Sequence, residues 1–125
     1  MIVARRMVVA SVLVAIAACA SEVQRTSASL STPPNAVPAR IEIAQETHVL
    51  LSGGYSRTLA QGSVWELRGG LPEGAVYRRV DGVFTVEGAH VHEAYLVINA
   101  NRLVGFYLPV ERSYSPLPPV SLSIK

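Results

Sequence analysis

The sequence predicts an all-β domain, a small antiparallel barrel or sandwich of about seven or eight short strands. Three observations point there. From residue 40 onward apolar residues recur with period two. Glycine- and proline-containing turns interrupt the alternation at short intervals. Two long runs rich in β-branched and aromatic residues, 91–98 and 103–110, flank the break Asn99-Ala100-Asn101-Arg102.

In chain order, Ile41 and Ile43 flank Glu42 and start the alternation. Residues 47–51 run into Gly53-Gly54, a turn signal. Trp65 and Leu67 share one side of a strand, with Val64, Glu66 and Arg68 on the other, and Gly69-Gly70 is expected to end it. Leu71-Pro72-Glu73-Gly74 reads as a β-turn with proline at its second position. Residues 75–80 alternate again, with Val76, Arg78 and Val80 on one side. Asp81-Gly82 is a hairpin signal, and the run after it puts Phe84 and Val86 on one face.

The centre of the core is expected in the pair 91–98 and 103–110. Val104, Phe106, Leu108 and Val110 form one apolar face there, opposite Ala94, Leu96 and Ile98. Pro109 belongs at a strand edge or end. Residues 113–119 read as a proline-rich connector, and 120–124 as a closing strand. An open sheet with one short helix over 58–66 is the alternative architecture, opposed by Gly62 and the β-branched Val64.

The N-terminus has a different character. Arg5 and Arg6 precede residues 7–20, where only Ser11 and Cys19 depart from Ala, Val, Ile, Leu and Met. A basic start, a short apolar run and small residues make a secretory signal peptide, here residues 1–18. The run is shorter than the ~20 apolar residues a membrane-spanning helix needs. It ends in Ile16-Ala17-Ala18-Cys19, which resembles the lipobox of bacterial lipoproteins. The resemblance covers residues 1–19. It implies cleavage before Cys19 and transfer of a diacylglycerol to the Cys19 thiol, with a further acyl chain (palmitate or similar) on the new amino group. One chain gives marginal membrane binding and two or three give a stable anchor, at about 0.8 kcal/mol per buried methylene. Residue 20 is Ala rather than Asp, which by the same resemblance implies the outer membrane, facing the periplasm.

Composition agrees with that division. The formal charge of +2 is carried by Arg5 and Arg6, and the rest of the chain has nine basic and nine acidic side chains. No nucleic-acid partner is therefore implied. Cys19 is the single cysteine, so no intramolecular disulfide can form. Residues 19–39 are read as the lipidated cysteine and a flexible tether, rich in Ser, Thr and Pro and without apolar periodicity. As a coil that tether would span roughly 25 Å, and fully stretched about 65 Å, so the domain at 40–125 is expected to stand off the membrane.

Catalytic constellations are sparse. His90 and His92 lie two residues apart near Glu87 and are the only start of a metal site, while His48 has no evident neighbour. Asp81 is the single aspartate among eight glutamates and sits in a turn, and Glu93 and Glu111 have no sequence partner. There is no Gly-x-Ser-x-Gly elbow, and Ser52-Gly53-Gly54-Tyr55 is not followed by a phosphate-loop Lys. Neither enzyme activity, cofactor nor metal is expected. Tyr55, Tyr77, Tyr95, Tyr107, Tyr114 and Trp65 are interface-anchor types that also occur as ordinary half-buried strand residues. Pro116-Leu117-Pro118-Pro119 has a P-x-x-P spacing and reads as a stiff lead into the last strand.

The sequence therefore reads as an envelope lipoprotein, anchored by Cys19, with a non-enzymatic β domain that binds a protein or cell-wall partner. Two alternatives stand beside it. One is a lysozyme-inhibiting lipoprotein, which residues 52–55 loosely resemble, although the cysteine pair of many such proteins is missing. The other is a metal- or ligand-binding module using His90 and His92.

Overall fold

The structure, a computed structural model, describes residues 22–51 and 53–125. The signal peptide, the Ile-Ala-Ala-Cys box and Cys19 lie outside the described residues. The all-β antiparallel expectation holds. Eleven strands occur among the described residues: β1 (Thr26–Ser27), β2 (Arg40–Glu42), β3 (Thr47–Leu50), β4 (Ser56–Leu59), β5 (Val64–Leu71), β6 (Gly74–Arg79), β7 (Thr85–Glu87), β8 (Val91–Glu93), β9 (Tyr95–Asn99), β10 (Arg102–Leu108) and β11 (Ser113–Ser121). Seven form one sheet in the order β1-β11-β10-β9-β6-β5-β2, and β3–β4 and β7–β8 form two-stranded ribbons.

The sheet curls until its two sides meet at one end. Ile43, just past β2, bridges Ile124, just past β11. The Lys125 N–H donates to the Glu42 carbonyl at 2.9 Å, and the Ala44 N–H donates to Ser123 at 2.8 Å. These bonds satisfy backbone groups that an open edge would leave unpaired.

Period two explains the core. Ile41, Ile43, Phe84, Val86, Ala94, Leu96 and Ile98 all face the main cluster, with Trp65 and Phe106 among its largest buried side chains. Burying one such side chain stabilises by about 1.5–3 kcal/mol. The Phe84 ring lies 5.4 Å from Trp65, edge to face, and 6.0 Å from Phe106. The opposite face of the sheet carries a smaller cluster of Leu71, Val76, Val97, Tyr107 and Tyr114.

Several local expectations differ from the structure. Leu103, Phe106 and Leu108 face the main core, whereas Val104 packs in the smaller cluster. A bulge between Leu103 and Gly105 shifts the register and exchanges the faces. Val110 lies beyond the end of β10 and is 76% exposed. Pro109 does follow the strand end. Residues 113–119 are strand rather than connector. The prolines fit because Gly105 pairs with Pro116 and Leu103 with Val120, leaving 117–119 opposite Val104, and because β1 covers only Ser113 and Tyr114 on the other side. Asp81-Gly82 links β6 to β7 without pairing them, since β6 pairs with β5 and β9. Residues 58–66 carry the end of β4 and the start of β5, not a helix.

The largest difference is the N-terminal segment. Residues 22–39, expected as a flexible tether, lie along the domain. β1 pairs with β11, the Ala28 N–H donates to Arg112 at 3.0 Å, and Ser31 bridges Gly70 through bonds of 2.9 and 2.7 Å. Val23 and Val37 pack on the main cluster, and Ala28 and Leu30 on the smaller one. Gly69 and Gly70 do not end β5 but let this strap approach it. A Cβ on Gly70 would lie 2.5 Å from the Pro33 Cα, and one on Gly69 would lie 2.9 Å from the Ser31 carbonyl oxygen.

Candidate functional site

His92 lies in β8 on the inward face that continues through Ala94, Leu96 and Ile98, and only 5% of it is exposed. A buried imidazole needs partners for its two ring nitrogens. Nδ1 is 2.6 Å from Glu111 Oε1, in the turn between β10 and β11. Nε2 is 2.9 Å from Glu22 Oε1, at the start of the strap. Both partners are carboxylates, and when these are ionised they favour the form of the ring in which both nitrogens donate, the imidazolium.

The electrostatics follow. Burial alone would lower the His92 pKa, but the bonds to Glu111 and Glu22 and their charges outweigh it and raise the value. Glu22 is lowered, chiefly by its bond from His92. Burial pushes Glu111 up, but the His92 bond, a backbone bond and the charges of His92 and Arg25 bring it down overall. The Arg25 guanidinium is 3.9 Å from Glu111, and the exposed His90 is 3.8 Å from Glu22. Glu111 Oε2 is buried without a hydrogen-bond partner among the described residues.

This cluster is a clasp. In that doubly bonded imidazolium form the ring offers no lone pair to a metal or to a proton. Among the described residues no group of three or more His, Cys, Asp or Glu side chains is placed to hold a metal ion. The two histidines singled out in the sequence do come together, their ring centroids 6.5 Å apart, around Glu22. Glu87 instead pairs with Val91 in the β7–β8 ribbon. His48 is an exposed residue of β3, bonded to Thr58 at 3.0 Å. Asp81 is an exposed bend residue.

Sequence reasoning missed the partners of His92. Glu22 fell in the supposed tether and Glu111 had no visible mate. The available signal was the phase of His92, which shares the period-two face of Ala94, Leu96 and Ile98 and so had to point inward.

A second feature lies at the other end of β10. A recess of about 220 Å³ is lined by Ile41, Ala75, Tyr77, Ile98 and Ile124, with Val37 and Pro38 of the strap at its rim. The Tyr77 hydroxyl donates to the Pro38 carbonyl at 2.8 Å, and burial raises its pKa. Of the tyrosines, Tyr77, Tyr107 and Tyr114 are buried, Tyr95 is partly covered and Tyr55 is exposed. Gly53 and Gly54 lie in the β3–β4 hairpin, where the Leu51 N–H donates to the Tyr55 carbonyl at 2.7 Å. Pro116, Pro118 and Pro119 are exposed on β11.

No protein-family model, no curated protein and no solved structure matches the chain.

Proposed function

We propose that the chain is a bacterial envelope lipoprotein, held in the membrane by acyl chains on Cys19, whose small non-enzymatic β domain binds a protein or cell-wall partner. The observation that carries this reading is the ordered succession of Arg5-Arg6, an apolar run and Ile16-Ala17-Ala18-Cys19. The same resemblance supports an outer-membrane location facing the periplasm. Two features of the chain favour a binding role over catalysis. The buried histidine is committed to two carboxylates. The Cys19 thiol is consumed by the lipid.

Labelling cells with a clickable palmitate analogue tests the anchor. Wild-type protein takes up label and Cys19→Ser does not; label retained in Cys19→Ser removes the reading. Crosslinking the lipidated protein in cells then identifies the partner. Reproducible capture of one envelope component supports the binding role, and its absence withdraws that role while leaving the anchor standing.

A further inference from the structure

Cys19 lies three positions before Glu22, the first described residue, which is docked against His92. From there the strap is fixed by the His92 bond, by β1 against β11 and by the Ser31–Gly70 bridge. Three Cα-to-Cα steps reach at most about 11 Å. The sulfur that would carry the lipid is therefore confined to one end of the domain. That end holds Glu22, Arg25, His90 and the turn at 109–112, because Glu111 meets both His92 and Arg25. Its side chains suit a headgroup layer. Val110 and Val91 are 76% and 66% exposed, and Arg112 is exposed beside Glu111. The acids Glu22 and Glu111 face His92 and Arg25 rather than standing free.

We infer that the strap seats the domain directly on the bilayer that carries its own anchor, with Val110, Arg112 and His90 facing the phospholipid headgroups. The recess under Val37 and Pro38, at the far end of β10, then faces away from the membrane, where a periplasmic partner has access. This rests on the proposed acylation of Cys19. It replaces the stand-off of roughly 25 Å that a free coil of residues 20–39 would give. Exposed valines and an arginine at that end add shallow interfacial contact to the insertion of the acyl chains.

The test uses the chain from Cys19 to Lys125, which keeps every described residue, with a lipid coupled chemically to the Cys19 thiol. The lipid is then present whatever the cell does, so failure of the seating and failure of the acylation reading are told apart. The protein is placed in nanodiscs doped with a gadolinium-chelate lipid, and amide signal loss is read along the chain. Seating predicts strong loss at His90, Val110 and Arg112 and little at Ala100 and Asn101, the turn at the opposite end of β10. Equal attenuation at both ends, or greater loss at Ala100 and Asn101, overturns the inference. A second variant, Glu22→Ala combined with Gly70→Val, frees the anchor-proximal end of the strap from His92 and puts a side chain into Pro33 to lift the rest, with Trp65 near-ultraviolet dichroism reporting whether the core survives. With the core intact, its attenuation pattern should flatten; an unchanged end-to-end contrast would show that the strap does not set the orientation.

Discussion

Glu22 and His92 are 70 positions apart in the chain, yet the carboxylate Oε1 lies 2.9 Å from the imidazole Nε2. The contact closes the strap onto the domain, and its two partners titrate in opposite senses. His92 is raised above its ordinary value of 6.5. Its contribution is complete below 6.5 and is lost as pH rises through the raised folded-state value. Glu22 and Glu111 are lowered below 4.5. Their contribution is present above 4.5 and is lost as pH falls through their folded-state values. Thermal stability is therefore expected to be greatest between pH 4.5 and 6.5 and to fall toward alkaline pH. Melting His92→Gln across the same range checks this, because the variant should lose the alkaline limb. An identical slope in both proteins would assign the limb to other groups.

Truncating the same side chain tests its structural weight. His92→Ala removes a charge-assisted bond to the half-buried Glu111 and leaves Arg25, at 3.9 Å from Oε1, as its remaining ion-pair partner among the described residues. Bonds to charged groups contribute about 1.5–3 kcal/mol, and that loss is expected in urea unfolding. Hydrogen exchange adds a positional readout. Amides at the start of the strap should exchange faster, while those of Leu96 and Ile98 keep their protection relative to global unfolding.

How much of this was legible in sequence depends on which atoms make the contact. Side-chain phase was legible: Ile41 with Ile43, Phe84 with Val86, and Ala94 with Leu96 and Ile98 all face inward as alternation requires. Contacts made by the backbone were not. The strap is ordered by N–H and C=O groups at Ala28 and Ser31, which every sequence carries, and its apolar residues Val23, Ala28, Leu30 and Val37 follow no period. The bulge before Gly105 was hidden for a related reason. One inserted residue leaves the composition of β10 unchanged but moves Val104 to the other face. The Glu22–His92–Glu111 cluster needed the fold itself, since its members come from the strap, β8 and a turn.

Gly70 is where the strap depends on a missing side chain. A Cβ there meets the Pro33 Cα at 2.5 Å and the Thr32 carbonyl at 3.0 Å, both backbone atoms that cannot rotate away. Gly70→Ala should therefore cost about 1–3 kcal/mol, the range for overpacked sites. The loss should appear with faster exchange at the Ser31 amide, which donates to Gly70 at 2.9 Å. An alanine variant as stable as wild type would mean the strap is not held there.

The β9–β10 turn offers a gain. Ala100 and Asn101 both have positive φ, 50° and 58°, as a two-residue type I′ turn demands. Asn adopts that region at lower cost than Ala, because its short polar side chain can hydrogen-bond locally and offset the crowding of Cβ against the following carbonyl. Ala100→Asn should raise stability by about 0.5–1 kcal/mol, part of the 1–2 kcal/mol left-handed penalty. Chemical denaturation with an unchanged slope would show that the gain arises in the turn rather than from altered compactness.

Phe84 joins the β7–β8 ribbon to the core through one cation and two rings. The Arg57 guanidinium stands 4.8 Å from its ring centroid, with Trp65 at 5.4 Å and Phe106 at 6.0 Å. Phe84→Ala should cost about 3–5 kcal/mol, since the cavity is lined by side chains that cannot collapse into it. Part of that cost belongs to Arg57, whose Nε is buried without a partner among the described residues. A double-mutant cycle with Arg57→Met separates the terms, with a coupling of about 0.5–2 kcal/mol expected from the cation and the ring. Zero coupling would make Arg57 a packing residue only, and would assign the whole cost of Phe84→Ala to the cavity among Trp65, Phe106 and Val86.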